Sequence, residues 1–169
     1  NKHVIEDADS YFINFSEHPN LSEVEMQATL LYTPKESSFS FDYAVLSIDR
    51  NIELTPLEFE TNEMTKNGDL IYAYGYPSIG GIAPAFSLTQ GIISNRDIDP
   101  ALMLIDCDIF PGNSGGPTIN DNGKVVGINT SGYEGKWQGQ NFSLKIDHIL
   151  SDQSIQSINW SGDTIQRVK

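Results

Sequence analysis

The chain has 169 residues, 38% of them hydrophobic, with ten basic against 23 acidic side chains and a formal net charge of −13. This length can bury a core of one or two small β-domains, and the acidic excess argues against nucleic acid or an anionic membrane as partner, since phosphate binding depends on lysine and arginine clusters. No apolar run reaches the roughly eighteen residues of a spanning helix, and the single cysteine, Cys107, permits no internal disulfide.

Along the chain, Asn1-Lys2-His3-Val4-Ile5 is a polar-to-apolar junction with a short helical turn, and its histidine taken alone is open to a structural or a catalytic role. Apolar runs follow at Tyr11–Phe15, Met26–Tyr32, Tyr43–Ile48, Leu70–Tyr74, Leu88–Ile93, Leu102–Cys107, Lys124–Ile128 and Asn141–Ile146. Gly, Pro, Asn and Asp punctuate them, which predicts an all-β sandwich or barrel. The polar stretch 51–67 reads as a linker between two units, a helix is expected over Asp147–Ile158, and 161–169 is a polar tail. Cys107 lies in an apolar run and reads as packing. Of the other histidines, His18 precedes Pro19 in a polar loop and His148 reads as surface.

Chemistry concentrates in Phe110-Pro111-Gly112-Asn113-Ser114-Gly115-Gly116-Pro117. Gly112 can take a conformation that aims its own N–H and that of Ser114 at one point, and two such donors can hold an oxyanion. The same string also suits a glycine-rich turn between strands. A serine hydroxyl needs a base, and the base needs an orienting acid. Asp42 opens the apolar strand Tyr43–Ile48, where a carboxylate is costly unless a donor meets it. A turn-capping aspartate is the alternative there.

The order His3, Asp42, Ser114, at separations of 39 and 72 residues, resembles that of the chymotrypsin-like (trypsin-fold) serine peptidases of bacterial type. Six blocks carry the resemblance: Asn1–Ile5, Asp42–Leu46, Ile71–Pro77, Leu88–Ser94, Gly112–Pro117 and Lys124–Gly132. The second half is most similar to the HtrA/Deg proteases, while the histidine segment also resembles the glutamyl endopeptidases. The latter carry a histidine where this chain has Asn129, which argues against glutamyl specificity.

The resemblance implies two six-stranded antiparallel Greek-key β-barrels and a short C-terminal helix. The partial first barrel (1–50) would carry His3 and Asp42, and the second (68–160) Ser114. Because the family places about two strands before the histidine, the first barrel is expected to lack N-terminal strands, with further domains outside the sequence. The implied activity is serine endopeptidase, through a His3–Asp42–Ser114 triad and an oxyanion hole at Gly112, Asn113 and Ser114, with no metal or cofactor. Protein or peptide substrate would pair with Thr130, Ser131 and Gly132. Asp108, six residues before Ser114, either attracts a basic P1 side chain or points outward to cap a loop. A catalytically silent binding module is the rival function. Compartment stays open between bacterial cytoplasm and secretion or periplasm.

Overall fold

The structure, a computed structural model, describes residues 1–15, 25–48, 54–78, 84–130 and 140–158. His18, Ser131, Gly132, the start of the expected linker and the polar tail lie outside the described residues.

A one-turn helix α1 (Lys2–Ile5) leads into strands β1 (Tyr11–Asn14), β2 (Glu25–Tyr32) and β3 (Val45–Ile48), which form an antiparallel sheet in that order. A 3₁₀ turn over Phe39–Phe41 delivers the chain to Asp42 just before β3. Six further strands close into a barrel: β4 (Leu70–Gly75), β5 (Ser87–Asn95), β6 (Leu102–Ile105), β7 (Pro117–Asn120), β8 (Val125–Thr130) and β9 (Asn141–Lys145), in the order β4-β5-β6-β9-β8-β7. The second barrel is therefore closed as expected, while the first unit is an open three-stranded sheet among the described residues.

Period-two alternation builds the barrel. In β4 every second residue (Ile71, Ala73, Gly75) is buried, and Ile71 and Ala73 meet Ile93, Met103, Ile105, Cys107 and Val126 in the interior. Each such side chain is worth roughly 1.5–3 kcal/mol of burial for the larger aliphatics. A second core, with Tyr43, Leu102, Phe142, Leu144, Ile146 and Ile149 among its members, joins the barrel wall to the C-terminal helices and to the strand entry after Asp42.

Strand β7 was hidden in the sequence because its buried residues include Thr118 and Asn120. Burying them is tolerable because each is bonded: Thr118 Oγ1 donates to Asn129 Oδ1 at 2.7 Å, and Asn120 Oδ1 accepts from the N–H groups of Asn122 and Lys124. The expected helix over Asp147–Ile158 is two helices, α2 (Ile146–Ser151) and α3 (Gln153–Ser157). Asp152 breaks it: its backbone is extended, and its carboxylate caps α3 by accepting the Ser154 N–H at 2.8 Å. No helix among the described residues is long and apolar enough to cross a membrane.

Candidate active site

Three separate ties bring the α1 turn to the Asp42 turn. The Lys2 ammonium donates to the carbonyls of Pro34 and Glu36, each at 3.0 Å. The Asn1 amide donates to the Asp42 carbonyl at 2.8 Å. The His3 backbone N–H donates to Asp42 Oδ1 at 2.9 Å. His3 Nδ1 then lies 2.7 Å from Asp42 Oδ2. Since an ionised carboxylate only accepts, Nδ1 carries a proton, and in the neutral imidazole Nε2 then keeps its lone pair. The carboxylate is largely buried, at 10% exposure, while the His3 side chain is 43% exposed. That asymmetry fixes the acid and leaves the imidazole's other edge reachable. A hollow of about 260 Å³ opens beside them, bounded in part by Glu6, Ser38 and Phe39.

Asp42 Oδ2 has a further donor, the Thr130 hydroxyl at 3.0 Å. Thr130 ends β8 and is fully buried, so this bond ties the acid of the first sheet to the barrel that carries the serine. Thr130, expected to pair with substrate, also gives its side-chain hydroxyl to Asp42. No local signal could have found this contact, because it joins residues 88 apart.

The serine segment is a stapled turn. Asn113 N–H bonds the Phe110 carbonyl at 2.9 Å, with Pro111 and Gly112 between them and Gly112 at φ 102°; proline then positive-φ glycine is the type II pattern. A Cβ on Gly112 would stand 2.5 Å from the Tyr76 carbonyl oxygen, so glycine is required for conformation and for space. Tyr76 N–H bonds the Gly112 carbonyl at 3.3 Å, Gly115 N–H the Asn129 carbonyl at 2.9 Å, and Asn129 N–H the Gly116 carbonyl at 2.8 Å. Among the described residues, nothing accepts a hydrogen bond from the N–H of Gly112 or of Ser114, and the Ser114 hydroxyl makes none. Asn1 reaches this segment too, its backbone nitrogen 3.0 Å from where a Gly115 Cβ would lie.

Asn113 differs from its neighbours. Its side chain is fully buried and packs against Gly75, whose missing Cβ makes the room. It thus anchors the turn while its neighbours' N–H groups stay open. Asn129, buried, donates from its amide to the Tyr74 carbonyl at 2.8 Å. Asp106 accepts the Ile92 N–H at 2.5 Å. Asp108 is exposed, its carbonyl held by the Thr89 hydroxyl at 2.8 Å. His148, expected at the surface, is half-buried against the rings of Phe41 and Tyr43, with Nε2 enclosed.

The trypsin-like peptidase domain family matches residues 1–128, which include all three residues of this constellation. The chain belongs to that family. This trypsin-like peptidase domain is 33% identical to a probable periplasmic serine endoprotease, DegP-like, from Pseudomonas putida, over 99% of the chain and 35% of the relative. It therefore spans about a third of the length of the curated relatives it matches. Among solved structures it resembles a serine endoprotease from Yersinia pestis, at 31% identity and TM-score 0.71, over 93% of this chain and 53% of that one. It also resembles the HtrA-type protease AlgW with a decapeptide, at 27% identity and TM-score 0.70, over 93% and 47% of the two chains. The HtrA/Deg character of the second-half motifs is thus matched in whole-chain comparisons.

Proposed function

We propose that the chain is a serine endopeptidase domain that cleaves peptide bonds through an acyl-enzyme. Ser114 Oγ attacks the scissile carbonyl carbon while His3 Nε2 takes its proton, and the carbonyl π electrons move to oxygen. The oxyanion is received by the N–H groups of Gly112 and Ser114, which no protein acceptor among the described residues competes for. His3 then gives the proton to the leaving amine, and water repeats the cycle to release the acid. Asp42 keeps the imidazole in the Nδ1–H tautomer and stabilises the imidazolium. Asn113 shapes the oxyanion turn from below.

The observation that carries this reading is the 2.7 Å His3–Asp42 contact, made within the residues that match a family of peptidases. Hydrolysis of an unfolded protein substrate tests it: turnover is expected from the intact chain and none above background from Ser114→Ala. Substrate backbone would pair along the segment that runs from Thr130 through Ser131 and Gly132, adding a strand. The exposed Asp108 carboxylate, six residues before Ser114, would attract a basic P1 side chain. Peptides differing only at P1 decide this point. Lys and Arg should be cut faster than Val or Leu, and equal rates would remove Asp108 from the substrate site. Further domains beside this one fit the greater length of its relatives.

A further inference from the structure

The C-terminal helices grip both neighbours of Asp42. Asp152, at the break between α2 and α3, accepts two phenols on one oxygen: Tyr43 at 2.6 Å and Tyr32 at 2.8 Å. Its other oxygen caps α3. The His148 ring meets Phe41 edge-on at 5.7 Å and Tyr43 at 6.3 Å between centroids. Phe41 and Tyr43 flank Asp42 directly, and Tyr43 is only 4% exposed. A cavity of about 810 Å³ runs beside this junction, so Tyr43 is not held by close packing on every side.

We propose that Asp152 is a positioning residue for the Asp42–His3 pair, acting through the hydroxyl of Tyr43; this rests on the triad reading above. Asp42 sits at the centre of a tight turn, φ −83° and ψ 61°, with the Tyr43 N–H donating to the Phe41 carbonyl at 3.0 Å, between two anchored side chains. Its own carbonyl is fixed by Asn1 and that of Tyr43 by the Thr33 hydroxyl at 3.1 Å. The Tyr43 ring, held by Asp152, is the lever that resists rotation of this turn. A small rotation would carry the carboxylate away from one of its two partners, His3 or Thr130, which belong to different lobes. The clamp stays intact across working pH. Burial, and then the bond to Asp152, push the Tyr43 phenol well above its ordinary value, so it remains a donor. Burial alone would raise Asp152, but the bonds from Tyr43, Tyr32 and the Ser154 N–H hold it below the usual carboxylate value, so it remains an acceptor.

The test uses Tyr43→Phe, which removes only the hydroxyl, and Asp152→Ala, with Gln156→Ala on the exposed face of α3 as control. Two readouts apply: kcat and KM on a short peptide, and the downfield NMR signal of the proton shared by His3 Nδ1 and Asp42. The clamp predicts a fall in kcat of about tenfold to 100-fold, the scale of a small misplacement acting from a distance. KM should change less than about twofold, the downfield signal should shift or broaden, and the control should do neither. Unchanged kcat and an unchanged proton signal in both variants would overturn it. So would an activity loss that vanishes after correction for the folded fraction while the signal stays put, since that assigns Asp152 to stability alone. The proton signal does not require turnover. If the native chain cleaves nothing, the triad reading fails and the coupling of Asp152 to the His3–Asp42 pair is still measured.

Discussion

His3 and the carboxylate of Asp42 are joined twice: ring Nδ1 to Oδ2 at 2.7 Å and the His3 backbone N–H to Oδ1 at 2.9 Å. One bond sets the ring's tautomer and the other sets where its backbone stands. Both oxygens of the acid are therefore engaged before any substrate arrives, and the Thr130 hydroxyl adds a third donor from the other lobe.

Asp42→Asn separates these functions. The amide keeps an oxygen for the backbone N–H, but its NH₂ facing Nδ1 favours the tautomer with the proton on Nε2, where it cannot act as base. Steady-state kinetics should show kcat lowered by about 10⁴ with a near-native circular dichroism spectrum. A loss below tenfold would mean that Asp42 does not set the tautomer.

The turn at Gly112 combines a positive φ of 102° with a forbidden Cβ site 2.5 Å from the Tyr76 oxygen. Gly112→Ala is expected to lower stability by about 1–3 kcal/mol, as for a strained backbone. Its kcat should fall about 10²–10³-fold, the cost of a displaced oxyanion donor. Thermal unfolding and peptide turnover on the same sample check both. A variant with native activity would show that the turn does not need this conformation.

Cys107 offers a pH test that does not involve the active site. Burial raises its thiol to about 11 from an ordinary 9.0. A folded value above the unfolded one means stability that is complete below about pH 9 and lost progressively as pH rises toward 11. Native protein at pH 8 should react with a disulfide-exchange reagent only at its unfolding rate. Cys107→Ala should show a flatter loss of melting temperature above pH 9. Rapid labelling of the native protein would contradict this burial.

Much of this was legible in the sequence because it was local. Strand positions followed from alternation, and the Gly112–Pro117 string announced a turn with open N–H groups. The family order of His3, Asp42 and Ser114 then supplied the pairing. What escaped was non-local or polar. Strand β7 hides behind Thr118 and Asn120, which look solvent-facing until Asn129 and the next turn satisfy them. The bond from Thr130 to Asp42 has no local signal, since it joins residues 88 apart. Asp147–Ile158 shows continuous helical spacing, yet Asp152 prefers to cap α3 and bind two tyrosines. His148, polar by type, is half-buried for the same reason: its ring completes an aromatic cluster that only the folded chain assembles.

In the proposed mechanism Ser114 is a nucleophile activated by His3. The most direct measurement is covalent labelling of the folded protein with a fluorophosphonate probe, followed by mapping of the modified peptide. Stoichiometric modification is expected on Ser114, abolished in Ser114→Ala and slowed by orders of magnitude in His3→Ala. A folded, native chain that takes up no probe, or takes it up at another residue, would contradict it.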